Sequence, residues 1–360
     1  MRQLKNGCLP VFRRGGKGLK RDSAFPLKSG DSQNTEKGFT KSPYLHRMEY
    51  PRGLWRGKPP AGGATERIVV AMRGNFGVAG GDQRQLYLAR SLMADGCSVR
   101  VSCLEEGSGG LPQTDLAQLA VESQYILLPL PATRDGRTLN APLSRREIPL
   151  DDGFARLFSG KTVLGGMLGP LTASSDLWRA ADCHDYYARE ELVAGNACLT
   201  AEGAIGLAIQ EYKGALGGAR CLVTGYGRIG RALCGMLRGM GAQVDCAARK
   251  AKDLTLIRAS GCRAVAYQEL GDRYELIFNT VPARVLGQRV LAAQSPEGLI
   301  LELASPPGGV DLEAAGRLGL RVLPAPSLPG KLSPKASGEL IKEAVYNILE
   351  EQRGGLWARP

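Results

Sequence analysis

The residues best suited to chemistry are Gly225-Tyr226-Gly227-Arg228-Ile229-Gly230. They follow the apolar run from Arg220 to Thr224. They lead into a stretch that puts Ile229, Leu233, Met236, Leu237 and Met240 on one helical stripe. Glycine at these three positions, between a strand and a helix, suits the binding of a pyrophosphate. Gly225 permits a tight turn. Gly227 carries no Cβ to hold the anion off the backbone, and Gly230 lets the helix approach the strand. The unpaired N–H groups and positive end of the helix then face the anion. The pattern alone is weak; the strand–turn–helix context makes it specific. Thr224, Gly225, Gly227, Arg228, Ile229 and Gly230 are therefore expected to contact a dinucleotide.

The end of the following strand, Gln243 to Ala248, should choose between nucleotides. A ribose bound through its 2′-hydroxyl usually meets an acid there. Here Asp245 lies inside the strand, and the strand runs out into Arg249 and Lys250. Two cations suit a 2′-phosphate, which arginine can hold with two parallel hydrogen bonds. NADP is expected over NAD. Asn279-Thr280-Val281-Pro282-Ala283 ends a fourth strand and Leu303-Ala304-Ser305-Pro306-Pro307-Gly308-Gly309 a fifth. Ligands of doubly wound sheets bind beyond such carboxyl ends. Thr280, Val281, Pro282, Ala304 and Ser305 join the expected cofactor contacts.

Two polar loops in the preceding half are candidates for the substrate side. In Gly80-Gly81-Asp82-Gln83-Arg84-Gln85, Arg84 and a helix N-terminus could hold an anion, with Asp82 as a cap. Pro131-Ala132-Thr133-Arg134-Asp135-Gly136 is the second. For both, an ordinary cap or turn stays open as the alternative. A histidine-based hydroxy-acid relay is disfavoured, because the only histidines are His46 and His184 and neither falls on a strand-end loop. No metal site is expected: the 9 cysteines contain no C-x-x-C pair, and they read as small reduced core residues of a cytosolic protein.

These motifs lie in an alternation of strands and helices broken by Gly/Pro turns, which argues for parallel sheets covered on both faces. In the first half the strand readings are Asn75 to Ala79, Ser98 to Cys103, Tyr125 to Leu128 and Thr162 to Met167. In the second they are Arg220 to Thr224, Gln243 to Ala248, Arg263 to Ala266, Leu276 to Thr280, Leu299 to Leu303 and Arg321 to Leu323. Thr200-Ala201-Glu202-Gly203 reads as the opening of a long linking helix that stops at Gly217-Gly218. The fold class is α/β, with two Rossmann-like doubly wound parallel-sheet domains joined by that helix. Residues 72–196 form the substrate domain, 197–330 the NADP-binding domain, 331–352 a helix packing back on the first domain, and 353–360 a tail.

The charge is unevenly spread. Residues 1–71 carry 15 Lys and Arg against 5 Asp and Glu, which leaves 32 against 30 for the other 289 residues. The basic character belongs to this leader, which has no zinc, aromatic RNA-binding or helix-turn-helix pattern, so nucleic-acid binding is not expected. The leader reads either as a disordered tail or as sequence upstream of a true start at Met72 or Met48. No uncharged apolar run approaches the ~18–20 residues of a membrane helix, and no apolar segment of a secretory signal is present.

Taken together, the motifs resemble those of the dipicolinate synthase A-subunit family. The matching stretches are Gly80 to Gln85, Thr133 to Gly136, Thr200 to Gly203, Gly225 to Gly230, Ala247 to Lys250, Asn279 to Pro282, Leu303 to Gly309, Leu328-Pro329-Gly330 and Ser333-Pro334-Lys335. Leu332-Ser333-Pro334 departs from the Ala-Pro usual in the family. The resemblance implies an NADP-dependent oxidoreductase that works with a flavoprotein-like B-subunit to make dipicolinate from a dihydro or hydroxytetrahydro precursor. Its setting would be the cytoplasm of a sporulating mother cell. A dicarboxylate substrate calls for cations, for which Arg84, Arg134, Lys331 and Lys335 lie on the candidate loops. Asp82, Asp135 and Glu202 are the nearest candidate proton acceptors. A non-catalytic NADP-binding partner of the B-subunit, a stand-alone hydroxy- or amino-acid dehydrogenase, and a homo-oligomer stay open.

Overall fold

The computed structural model describes residues 74–354. The leader and start-site readings lie outside the described residues. The first lobe runs β1 (Asn75–Ala79), α1 (Gln83–Ala94), β2 (Ser98–Ser102), α2 (Leu116–Glu122), β3 (Tyr125–Leu127), α3 (Asp152–Leu157), β4 (Thr162–Gly165), α4 (Gly169–Thr172) and β5 (Asp182–Asp185). Its five strands are all parallel, in the order β2-β1-β3-β4-β5. The strand β5 was not apparent in the sequence. Asp182-Cys183-His184-Asp185 is polar because it lies at the sheet edge, paired on one side only with β4.

The connector α5 (Glu190–Glu211) leads to the second lobe: β6 (Arg220–Thr224), α6 (Arg228–Gly239), β7 (Gln243–Ala248), α7 (Ala251–Ala259), β8 (Arg263–Ala266), β9 (Leu276–Asn279), α8 (Gln288–Leu291), β10 (Leu299–Glu302), α9 (Leu312–Arg317) and β11 (Arg321–Pro324). Then come α10 (Leu328–Leu332) and α11 (Pro334–Gln352). The six strands are parallel in the order β11-β10-β9-β6-β7-β8, with the switch point between β6 and β9. The fold class expected from the alternation is thus the one observed. The central strands read as continuous apolar runs because helices cover both faces; Leu276, Ile277 and Phe278 are all buried.

The connecting helix differs from its sequence reading. It starts at Glu190 rather than at Thr200, and it ends at Glu211, short of the glycine pair. Thr200 is no cap: its hydroxyl donates to the Asn196 carbonyl one turn back, at 2.7 Å. The first turn carries Glu190 and Glu191, which suit the positive helix end. By length and composition α5 is, among the described residues, the one helix apolar enough to cross a membrane. Leu192 on its first turns joins the first lobe's core, while Ala201, Ala204, Ile205 and Ala208 join the second lobe's.

The last helix returns to the first lobe. Ile341, Val345 and Leu349 of α11 pack among Leu88, Leu92 and Val99. A Cβ on Gly338 would lie 2.7 Å from the Arg84 carbonyl oxygen and 2.9 Å from the Leu88 nitrogen, so α11 and α1 meet backbone to backbone there. His184, on the edge strand, has Nε2 2.8 Å from Asp182 Oδ1 and 2.6 Å from Gln352 Nε2, which fastens the end of α11.

Candidate functional site

The glycine turn after β6 has the geometry its spacing implies. Gly225 adopts φ +91°, and a Cβ there would meet Thr280 Oγ1 at 2.6 Å and Val281 Cγ2 at 2.8 Å. A Cβ on Gly230 would collide with the Gly225 carbonyl oxygen, so the helix is pressed against the turn. Gly227 is different. It is the N-cap of α6, its φ is −76°, it has no side chain to cap the helix, and a Cβ would meet nothing within 4 Å. The space beside the first N–H groups of α6 is therefore open. That is the fit a pyrophosphate requires.

The loops after β9 and β10 are held by a polar network. The Thr224 hydroxyl bonds the buried Asn279 amide oxygen, and Thr280 Oγ1 donates to the Thr224 carbonyl at 2.7 Å. Asn279 Nδ2 donates to Glu302 Oε1 at 2.6 Å. Glu302 then accepts three backbone N–H groups: Ala304 at 3.0 Å, Gly309 at 2.9 Å and Val310 at 3.0 Å. A single carboxylate thus shapes the loop that carries Ala304 and Ser305. Sequence reasoning missed Glu302, because an acid at a strand end signals nothing until the loop folds back over it. Glu302→Gln replaces two acceptor oxygens by one acceptor and one donor facing N–H groups. It should destabilise the lobe by about 1.5–3 kcal/mol in urea unfolding; an unchanged midpoint would show that the network is idle.

At the end of β7, Arg249 and Lys250 are exposed, and Lys250 is the N-cap residue of α7. Asp245 is buried and committed elsewhere: Arg263 Nε donates to it at 2.9 Å, and Arg263 also pairs with Asp272. No acid is left at the strand end to compete for a ribose. Tyr267 lies within electrostatic reach of Arg249, and burial pushes its phenol up to about 12, so it stays protonated.

In the first lobe several of the expected site residues already have partners. Asp82 caps α1 and accepts from Arg84 Nε at 2.9 Å and Nη2 at 2.8 Å. Arg84 Nη2 also donates to the Leu130 carbonyl. With 9% of its side chain exposed, Arg84 is held between Asp82 and the Leu130 carbonyl, and Asp82 is engaged both as the α1 cap and as the partner of Arg84. Arg84→Ala leaves a partly buried carboxylate without its cation and should cost about 2–4 kcal/mol in a denaturant melt. A loss under about 1 kcal/mol would return Arg84 to ligand duty.

Asp135 is also occupied. Its carboxylate accepts from the backbone of Thr138 and Arg137 at 2.8 Å each and from the Thr138 hydroxyl at 2.9 Å. These bonds, the Thr138 N–H foremost, hold its pKa well below the usual carboxylate range, which makes it a poor proton acceptor. Because the folded pKa is depressed, the stabilisation it lends the turn is complete above the ordinary carboxylate pKa and is lost progressively as the pH falls from there through the depressed folded pKa.

Other expected residues keep free groups. Arg134 uses only Nε, donating to Asn140 Oδ1 at 3.1 Å. Lys331, Lys335 and Glu202 are not buried. Lys331 lies on α10 and Lys335 at the start of α11, in the segment that touches the first lobe: a Cβ on Gly330 would come within 3.1 Å of Arg84 Nε and 3.3 Å of Asp82 Oδ2. Glu202 lies on α5 beside Gly203, whose missing Cβ admits Leu328 and Leu332 of α10.

Between α5 and the glycine turn lies a cavity of about 230 Å³, lined by Tyr187, Asn196 and Ala197 on one side and Gly227, Arg228 and Thr280 on the other. A five-stranded parallel lobe joined to a six-stranded one with a glycine turn at its switch point defines a two-lobed protein of dehydrogenase-like fold. At the level of fold alone, the chain superposes on a transhydrogenase from Sinorhizobium meliloti with a TM-score of 0.55 and 15% identity, over 77% of this chain and 94% of that one.

More specific likenesses are to the dipicolinate synthase A-subunit. Residues 75–179 match the family described as the N-terminal domain of the dipicolinate synthase A-subunit. The chain is 29% identical over 282 residues to the dipicolinate synthase A-subunit of Bacillus subtilis, a match that spans 76% of this chain and 95% of the relative. It is similar to the crystal structure of the dipicolinate synthase A chain from Bacillus subtilis, with a TM-score of 0.68 and 27% identity, over 78% of this chain and 97% of that one. The resemblance to the dipicolinate synthase A-subunit family read from the motifs is borne out.

Proposed function

We propose that this chain is an NADP-dependent oxidoreductase which, with a flavoprotein-like B-subunit, converts dihydrodipicolinate or its hydroxytetrahydro precursor to dipicolinate in the cytoplasm of a sporulating cell. The observation that carries the reading is the open space at Gly227, beside the α6 N-terminus, with Arg249 and Lys250 exposed at the next strand end. The α6 N–H groups hold the pyrophosphate, Arg249 and Lys250 hold the 2′-phosphate, and Thr280 to Pro282 with Ala304 and Ser305 border the nicotinamide. The bound nucleotide supplies a hydride acceptor.

Oxidising a dihydropyridine to a pyridine removes one hydride and one proton. The forming aromatic ring makes its C–H proton easier to lose, so a strongly tuned base is unnecessary. Arg134, Lys331 and Lys335 supply cations for the two carboxylates, and Glu202 is the exposed carboxylate left to take the proton, since Asp82 and Asp135 are occupied. The test has two parts. Calorimetry should find NADPH binding tighter than NADH; tighter NADH would reverse the choice of nucleotide. A single-turnover assay, read by ultraviolet absorbance of dipicolinate, should give product when this chain and its flavoprotein-like partner are mixed. Product from the flavoprotein-like partner without this chain would make this chain a regulatory component. Substrate-dependent NADPH turnover without that partner would make it a stand-alone dehydrogenase.

A further inference from the structure

Arg228 is the first residue of α6 and the one cationic side chain within the glycine turn. Its guanidinium is not free. Nε donates to Glu190 Oε1 at 2.7 Å and Nη2 to Glu190 Oε2 at 2.5 Å, a two-pronged pair. Glu190 is the first residue of α5, directly after the last turn of the first lobe. The pair therefore ties the linking helix to the glycine turn at the lip of the cavity lined by Gly227 and Thr280. Both side chains are more than half exposed, at 54% and 68%, so the pair adds little to stability. Its position matters more. It sets a carboxylate beside the place where the turn would receive a doubly charged group, and it engages Nε and Nη2 of the cation nearest that place.

We propose that Glu190 is a built-in competitor for Arg228: an incoming pyrophosphate takes the guanidinium from Glu190, so nucleotide affinity is set by this exchange and binding unties α5 from the turn. The proposal rests on the dinucleotide reading above. Arg228 is then a binding residue that must change partners, and Glu190 a positioning residue that touches no ligand. The exchange concerns the pyrophosphate, so it is blind to the 2′-phosphate and to the nicotinamide.

Calorimetric titration of NADPH and of NADH into the full chain tests it. Glu190→Gln keeps the size of the side chain and removes its charge; it should tighten both nucleotides by roughly 3- to 10-fold, with the gain shrinking at high salt. Glu191→Gln is the control for charge alone. That neighbouring carboxylate bonds Arg189 and Asn347 instead, and its loss should leave affinity within about twofold. In an Arg228→Ala background the gain from Glu190→Gln should largely vanish. Unchanged or weaker binding by Glu190→Gln, an equal gain from Glu191→Gln, or a full gain without Arg228 would each overturn the exchange while leaving the dinucleotide reading intact. A wild-type chain that binds neither nucleotide overturns both.

Discussion

Gly227→Asp is expected to abolish NADPH binding while leaving the protein as stable as before. The two halves of this expectation have separate causes. A Cβ at Gly227 meets no protein atom within 4 Å, and the residue's φ of −76° is open to any side chain. Position 227 is also an N-cap without a capping side chain, and aspartate is among the best capping residues, so stability should hold or rise by a few tenths of a kcal/mol. The same carboxylate would fill the space a pyrophosphate needs and repel it by charge. Calorimetry for binding and a thermal melt for stability check both halves. Retained NADPH binding at unchanged stability would remove the glycine turn from the nucleotide site. Gly230→Ala provides the contrast. Its methyl group would run into the Gly225 carbonyl, so it should destabilise the lobe by about 1–3 kcal/mol as well as weaken binding.

The second large effect is expected at the end of β7. Replacing both Arg249 and Lys250 by alanine should weaken NADPH by about 2–3 kcal/mol, or roughly 30- to 150-fold, and leave NADH nearly unchanged. Both side chains are exposed, so stability should change little. Asp245 cannot take over an NAD-type role in the variant, because it lies within the strand and is held by Arg263. The measurement is the ratio of NADPH to NADH dissociation constants. A ratio unchanged from wild type would mean that the ribose phosphate is recognised elsewhere.

Much of the second lobe was legible because its signals are local. The β6 run, the three glycines and the α6 stripe follow one another without interruption from Arg220 to Leu237, and each sits in the element its pattern implies, whereas Met240 falls on the exposed C-cap. The basic end of β7 was legible for the same reason. What escaped was non-local. Glu302 looks like any strand-end acid until Ala304, Gly309 and Val310 turn their N–H groups toward it. Arg84 and Asp82 look like a ligand pair until the Leu130 carbonyl and Gly330, from distant parts of the chain, close around them. β5 was hidden because an edge strand needs no apolar run.

By itself the sequence determined the alternation of strands and helices, the strand–glycine–helix turn and the basic pair beyond β7, since these depend on chain stiffness, periodicity and charge between near neighbours. Only the tertiary structure decided which polar side chains are free. Arg84, Asp82, Asp135 and Arg228 all have partners, whereas Arg249, Lys250 and Glu202 stay exposed. The reason is physical. A charged group's capacity to bind or to take a proton depends on what already occupies its hydrogen-bonding atoms. For Arg84 and Arg228 those occupants, Leu130 and Glu190, lie 46 and 38 residues away.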